Sequence, residues 1–145
     1  SVRVNILVVD DEEEICEMLS RHFRYLGYGV HTAPDGHAAL DKLAQEKIDI
    51  VISDIRMPRM SGIELLREIR KEYPMIHVIM LTGYVTLENA LACMRLGADT
   101  CVFKPLEDMA PLEKAVAHAV EEIQNWLSIL HELVKMKPAA GIGGE

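Results

Sequence analysis

The sequence is poor in cysteine and in positive charge, and it has no long apolar run. Its 145 residues include three cysteines, too few and too far apart for a disulfide framework or a paired zinc site, so we expect a reducing compartment. The formal charge is −8, and no basic face suited to a nucleic-acid phosphate backbone is visible. No apolar run approaches the roughly 20 residues of a membrane span, and no signal segment is recognisable. These absences predict an acidic, cytoplasmic domain that contacts neither membrane nor nucleic acid directly.

Two patterns that would indicate other chemistry are missing as well. No Gly-x-Gly-x-x-Gly follows the first apolar run, which argues against a dinucleotide-binding domain. The six histidines show no metal-ligand spacing, so we interpret them as structural or solvated residues.

Five short apolar runs, each followed by a helical pattern, organise the chain. They recur at intervals of about 20 to 25 residues, which is typical of strands that alternate with helices. The runs are 4–9, 29–32, 48–53, 76–81 and 100–103. Because they are apolar on both faces, we expect a parallel sheet covered by helices on each side. The carboxyl ends of its strands then share one edge, where open α/β sheets bind ligands.

The last helical pattern is longer than the others. From about Met109 to Lys135 its apolar residues follow a 4, 3, 4, 3, 4, 3 spacing, which is typical of a coiled coil and corresponds to a helix of about 40 Å. The stripe consists of Leu112, Val116, Ala119, Ile123, Trp126, Leu130 and Leu133. Its first three residues must pack on the sheet. We predict a homodimer through the last four, with docking back on the same chain as the alternative.

The chain is therefore predicted to have three segments. Residues 1–122 form the main domain, and residues 123–137 extend the last helix as a possible coiled-coil linker. Residues 138–145 are expected to be a flexible tail, because Pro138 and a glycine-rich end follow the helix.

Polar residues that share one chemistry stand at the ends of four predicted strands. Asp10 and Asp11 follow the first, Asp54 the third, Thr82 the fourth and Lys104 the fifth. Three carboxylates in one crevice repel each other unless a cation lies among them, and Mg²⁺ favours such oxygen ligands. A hydroxyl and an ammonium beside that cation suit a phosphoryl group, and a carboxylate can act as the nucleophile that receives it. Each acid alone could equally be a turn or helix-capping residue.

These motifs resemble the receiver domain of bacterial two-component response regulators. The resemblance rests on Asp10-Asp11, on Asp54-Ile55-Arg56-Met57-Pro58 with Gly62, on Thr82-Gly83 and on Lys104-Pro105, and it runs from about residue 4 to about residue 122. The strings Asp-Ile-Arg-Met-Pro and Thr-Gly-Tyr are most similar to the nitrogen-regulator class of transcriptional activators. The resemblance implies a doubly wound, flavodoxin-like α/β fold with five parallel strands in order 2-1-3-4-5, to which the heptad spacing adds an extended C-terminal helix.

The resemblance also implies a role for each site residue. Asp54 is expected to accept a phosphoryl group from a histidine kinase or phosphotransfer protein. Asp11 would bind Mg²⁺ directly, Asp10 mostly through water, and the Arg56 backbone carbonyl would add an oxygen. Thr82 would hydrogen-bond the phosphoryl group. Lys104 would form an ion pair with it, and the bond from Lys104 to Pro105 is expected to be cis.

Two features depart from the usual receiver pattern. Cys101 replaces the Tyr or Phe that commonly moves inward on phosphorylation, and Tyr84 could take part of that role or shield the site. Arg56 and Tyr84 flank the path of a hydrolytic water in receivers. Because both are bulky here, we predict slow self-dephosphorylation.

The predicted function is a phosphorylation switch that catalyses its own phosphoryl transfer and is not a metabolic enzyme. Its output is expected to be transcriptional, although no helix-turn-helix fits in the roughly 20 residues after the main domain. A stand-alone receiver acting through protein contacts and a vestigial receiver serving as a dimerisation module are alternatives. A carboxylate-nucleophile phosphatase normally has Asp-x-Asp, and adjacent Asp10-Asp11 argue against it.

Overall fold

The computed structural model describes residues 3–136, in which strands and helices alternate along the chain. The strands are β1 (Asn5–Val9), β2 (Gly29–Ala33), β3 (Ile50–Asp54), β4 (His77–Thr82) and β5 (Thr100–Phe103). The helices are α1 (Glu13–Tyr25), α2 (Gly36–Gln45), α3 (Gly62–Glu72), α4 (Leu87–Arg95) and α5 (Ala110–Lys135). Each predicted apolar run forms a strand.

The strands form one parallel sheet in the order β2-β1-β3-β4-β5. This order and the helices between the strands confirm the predicted doubly wound fold. Every residue of β3 is buried, because helices cover both faces of the central strands.

Two apolar layers hold the helices against the sheet. On one face, alternate residues such as Leu7 and Val51 pack with α2, α3 and α4. On the other face, Ile6 and Ile52 pack with α1 and α5. Because side chains of a strand alternate between faces, the continuous apolar runs supply both layers.

Three helices begin at side chains that accept a hydrogen bond from the first turn. Asp35 caps α2 through Ala38 N, and Thr86 caps α4 through Asn89 N. Ser61 forms a reciprocal capping box at the start of α3. Helix α1 differs, because its N-cap residue Glu12 makes no such hydrogen bond.

Strands β3 and β4 end later than the apolar pattern indicates. The predicted runs stop at residues 53 and 81, whereas the observed strands include Asp54 and Thr82. The reason is pairing across the sheet, since Asp54 aligns with Leu81 and Thr82 aligns with Phe103. Both polar residues are therefore fixed by the sheet.

Helix α5 has 26 residues and the length predicted for it, about 39 Å. Leu112, Val116 and Ala119 are buried on the sheet as expected. Ile123 is half-buried against the same core layer, so it already has a partner within the domain, contrary to the expectation that it needs a new one. The more distal residues of the stripe are exposed. The predicted tail, 138–145, lies outside the described residues, and no helix within them is long and apolar enough to cross a membrane.

Candidate functional site

Three carboxylates meet at the carboxyl edge of the sheet. Asp10 and Asp11 follow β1, Asp54 ends the adjacent β3, and one oxygen of each lies within 4.8 Å of the others. Asp10 and Asp54 are buried, whereas Asp11 is exposed. The structure thus brings together the acidic residues that the sequence singled out.

Lys104 follows β5, at the far side of β4, and its side chain reaches these carboxylates. Its Nζ donates to Asp54 Oδ2 at 3.1 Å and lies 3.0 Å from Asp10 Oδ2. It also donates to Glu12 Oε2 at 2.9 Å. Burial of the ammonium opposes its charge, but the attraction of the neighbouring carboxylates of Glu12, Asp10 and Asp54 outweighs this effect and raises the pKa of Lys104. Lys104 therefore stays protonated at any physiological pH.

Sequence reasoning missed Glu12 as a site residue. In the sequence, Glu12 is simply the first of three acidic residues at the start of α1, where negative charge stabilises a helix N-terminus. A signal was nevertheless present, because Glu is not among the preferred N-cap residues and a longer side chain there is free to point elsewhere.

Asp10 has one oxygen satisfied by the protein and one available for a ligand. Its Oδ1 accepts a hydrogen bond from Glu12 N at 2.9 Å. Its Oδ2 is buried and finds no hydrogen-bond partner among residues 3–136, because Lys104 Nζ meets it as an ion pair without hydrogen-bond geometry. Burial raises the pKa of Asp10, although Glu12 N and Lys104 partly offset the rise. A buried carboxylate oxygen beside two further carboxylates fits a hard divalent cation such as Mg²⁺.

Thr82 is at the expected strand end, but its hydroxyl is bonded to its own loop. Thr82 Oγ1 donates to the Tyr84 carbonyl at 2.7 Å and accepts from Tyr84 N at 3.2 Å. The Thr82 carbonyl accepts from Lys104 N at 2.8 Å, which joins the ends of β4 and β5. The hydroxyl must leave the Tyr84 carbonyl before it can bond to a group on Asp54.

Arg56 lies at the mouth of the site. Its backbone N donates to Asp54 Oδ1 at 3.3 Å, and its guanidinium carbon lies 5.7 Å from the centre of the Tyr84 ring. Arg56 and Asp11 line a shared cleft of about 470 Å³. The two bulky residues predicted to flank the site are thus in cation–π contact with each other.

The remaining predicted residues lie on or beside β5. Cys101 is half-buried and packs on the same core layer as the buried Cys93. Burial raises the pKa of both thiols, that of Cys93 to about 11, so neither is a reactive thiolate at neutral pH. The Lys104–Pro105 bond is cis, as predicted. Phe103, which the sequence reading did not single out, is an exposed aromatic next to Lys104.

This arrangement suits phosphoryl chemistry on a carboxylate. Asp54 offers a nucleophilic oxygen, Lys104 supplies a fixed positive charge beside it, and the Asp10–Asp11 pair can hold a divalent cation. No separate general base is needed, because a carboxylate nucleophile has no proton to lose when it attacks.

Comparison with known proteins agrees with this geometry. A family model described as response regulator receiver domain matches residues 6–117. The chain is 39% identical over 118 residues to the transcriptional regulatory protein ZraR of Escherichia coli K12, covering 79% of this chain and 27% of that protein. It is 40% identical over 116 residues to the regulatory protein AtoC of the same strain, covering 80% of this chain and 25% of that protein. The chain spans about a quarter of the length of these relatives.

Solved structures share the fold at similar sequence identity. A response regulator receiver domain protein from Clostridium thermocellum is 34% identical with a TM-score of 0.79, covering 85% of this chain and 98% of that one. The response regulator TrrA from Thermotoga maritima, solved in complex with Mg²⁺ and BeF, is 37% identical with a TM-score of 0.72, covering 80% of this chain and 98% of that one. The family model, the relatives and the shared fold together show that this chain belongs to the response regulator receiver domain family.

Proposed function

We propose that Asp54 accepts a phosphoryl group from the phosphohistidine of a histidine kinase or phosphotransfer protein. The observation that carries this proposal is the hydrogen bond of 3.1 Å from Lys104 to Asp54 inside the carboxylate cluster. A carboxylate oxygen of Asp54 attacks phosphorus, the P–N bond breaks, and the imidazole leaves with the electron pair of that bond. Lys104 stabilises the charge on the phosphoryl oxygens during this transfer.

The other site residues would stabilise the phosphoryl group once it is on Asp54. Mg²⁺, bound by Asp10, Asp11, Asp54 and the Arg56 carbonyl, would add positive charge beside the phosphoryl oxygens. The Thr82 hydroxyl turns from the Tyr84 carbonyl to the phosphoryl group, which releases the loop after β4. The face formed by α4, β5 and α5 then changes, because an added charge at one site acts as a local switch with a distant readout.

Intact-mass measurement after incubation with Mg²⁺ and acetyl phosphate tests the proposal. The native chain should gain about 80 Da, the mass of one phosphoryl group. Asp54→Ala should gain nothing, whereas Asp41→Ala, which removes an exposed carboxylate of α2, should behave as the native chain does. An unchanged native mass, or a gain that persists in Asp54→Ala, contradicts the proposal. Turnover of small phosphate esters would favour a phosphatase instead.

We also propose that two chains associate through the distal part of α5. Trp126, Leu130 and Leu133 are each about half exposed or more, at 57%, 50% and 55%. They continue the 4, 3 spacing that lets two identical helices pack along one seam. Trp126 and Leu130 also line an apolar groove of about 300 Å³ together with Ile48 and Ile76.

Sedimentation equilibrium tests this association. Leu130→Gln should shift the chain from dimer toward monomer. Val134→Gln is the matched control, because Val134 is more exposed, at 83%, but lies off the stripe. Equal effects of both substitutions, or a monomeric native chain, would contradict association through Trp126, Leu130 and Leu133.

The output we propose is control of transcription by a longer protein. The support is the name of the relative ZraR, a transcriptional regulatory protein of which this chain matches 27%. A chain that is phosphorylated without any change in self-association would favour a receiver acting through other protein contacts. A chain that dimerises but gains no mass would favour a vestigial receiver.

A further inference from the structure

Glu12 occupies the N-cap position of α1, but its side chain does not cap the helix. No hydrogen bond joins its carboxylate to the first turn of α1. The carboxylate instead accepts a hydrogen bond of 2.9 Å from Lys104, a residue 92 positions away in sequence. Its backbone N donates to Asp10 Oδ1, which holds the residue against the site. The side chain thus contributes to the charge arrangement of the site and makes no contribution to capping.

The three acidic partners of Lys104 differ in how easily they can release it. The side chains of Asp10 and Asp54 are 0% and 8% exposed, so loss of the ammonium would leave either carboxylate buried. The side chain of Glu12 is 58% exposed, so water can replace the ammonium there. Lys104 Nζ donates hydrogen bonds to Asp54 Oδ2 and Glu12 Oε2 and lies 3.0 Å from Asp10 Oδ2. Of these three contacts, the one with the exposed Glu12 is the one that a new acceptor can replace at the lowest cost in free energy.

We propose that Glu12 is a positioning residue that holds Lys104 in the unphosphorylated chain and competes with the phosphoryl group for its ammonium. This inference rests on the proposed role of Asp54 as phosphoacceptor. When a phosphoryl group arrives on Asp54, its oxygens take the N–H that points to Glu12, and the Glu12 carboxylate turns into water. Glu12 also repels the incoming anion while it stays in place.

Three substitutions distinguish the effect of the contact between Glu12 and Lys104 from the effect of the negative charge of Glu12. Glu12→Gln removes the charge, and its neutral amide holds the ammonium less strongly. Glu12→Asp keeps the charge but shortens the reach, and Asp at an N-cap turns its carboxylate to the backbone N–H groups of the first turn. Glu13→Gln removes the same charge from the adjacent exposed residue, which makes no contact with Lys104 among the hydrogen bonds and ion pairs of residues 3–136.

The first measurement is the initial rate of mass gain with Mg²⁺ and subsaturating acetyl phosphate. Glu12→Gln and Glu12→Asp should both react about two to five times faster than the native chain, the range expected for loss of one exposed ion pair. Glu13→Gln should react at the native rate. The second measurement is the side-chain ¹⁵N resonance of Lys104 without Mg²⁺ or phosphate, which should shift in both Glu12 variants and not in Glu13→Gln.

The outcomes distinguish this inference from the function on which it rests. If the native chain gains no mass, the proposed function fails and the inference fails with it. If the native chain gains mass but the Glu12 variants react at its rate, the inference alone is wrong. If Glu12→Asp reacts at the native rate while Glu12→Gln and Glu13→Gln react faster to the same extent, the rate depends on net charge and not on the contact between Glu12 and Lys104, and the inference is wrong.

Discussion

Gly62, the first residue of α3, lies against the backbone of Asp54, the proposed phosphoacceptor, and Gly62→Ala should therefore disturb both stability and chemistry. A Cβ at this position would lie 2.0 Å from the Asp54 carbonyl oxygen and 2.8 Å from Ile55 Cα. Both atoms belong to the backbone, so no side-chain rotation can relieve the overlap. Helix α3 must move by about 1.5 Å to restore an ordinary contact. Such a movement stretches the hydrogen bond of 2.7 Å from Gly62 N to the Ile55 carbonyl.

The expected cost follows from these contacts. Overpacking of this kind costs about 1–3 kcal/mol, and weakening of a buried backbone hydrogen bond adds to it. The higher helix propensity of Ala recovers up to about 1 kcal/mol. We therefore expect the free energy of unfolding to fall by about 2 kcal/mol, which corresponds to a melting temperature lower by about 8 °C for a domain of this size.

Gly83→Ala is the matched control at the same edge of the sheet. A Cβ on Gly83 would meet only Lys104 Cβ, at an ordinary 3.8 Å. Its free energy of unfolding should change by less than about 0.5 kcal/mol. Urea unfolding followed by far-ultraviolet circular dichroism measures both variants, and the rate of mass gain with acetyl phosphate reports whether Asp54 has moved. A Gly62→Ala chain as stable as the native one, or a Gly83→Ala chain equally destabilised, would refute the close approach of α3 to Asp54.

Other predictions concern single contacts. Replacing Arg56 by Asn and Tyr84 by Ala should shorten the lifetime of the phosphorylated chain, because the two bulky side chains no longer restrict the access of water. The lifetime is measured from the loss of the added mass. A native lifetime no longer than that of the double variant would contradict this prediction. The hydrogen bond of 2.8 Å to Asp99 raises the pKa of His77 above its usual value of about 6.5. This hydrogen bond therefore stabilises the fold fully below about pH 6.5, and the stabilisation is lost as the pH rises through the pKa of His77 in the folded chain. Accordingly, His77→Gln should be more destabilising, relative to the native chain, at pH 6 than at pH 9 in urea unfolding, and a pH-independent difference would contradict the ion pair. Ser61→Ala should lower the free energy of unfolding by about 1 kcal/mol, because it removes the cap of α3, and an unchanged midpoint would show that the cap is not needed.

The sheet and the acidic cluster could be predicted from the sequence because each depends on short segments. A run such as 48–53 is apolar at every position, and only a strand covered on both faces buries such a run. Once the strands are parallel, the topology alone brings Asp10 and Asp54 to one edge. The exact strand ends could not be predicted in this way, because Asp54 and Thr82 are polar and are held by pairing with Leu81 and Phe103.

Contacts between side chains that are far apart in the chain could not be predicted from the sequence. The Glu12–Lys104 hydrogen bond joins the start of α1 to the end of β5, and no local pattern encodes such a pairing. The same limit applies to Ile123, which the heptad spacing assigned to a partner helix. The heptad spacing shows which residues share one face of α5, but it does not show how many of them pack on the sheet. In the structure this packing extends to Ile123.

The proposed phosphorylation of Asp54 would break few contacts between buried groups. The Glu12 carboxylate that would release Lys104 is largely exposed, and the hydroxyl of the buried Thr82 would exchange the Tyr84 carbonyl for a phosphoryl oxygen. The contacts of Lys104 with the buried Asp10 and Asp54 need not be broken, and the backbone hydrogen bond from Lys104 to Thr82 keeps β4 and β5 aligned. A buried group that loses its partner costs far more free energy than an exposed one. We therefore expect the switch to begin with rotation of the Glu12 and Thr82 side chains while β4 and β5 stay paired, so that the first change is a movement of the loop after β4.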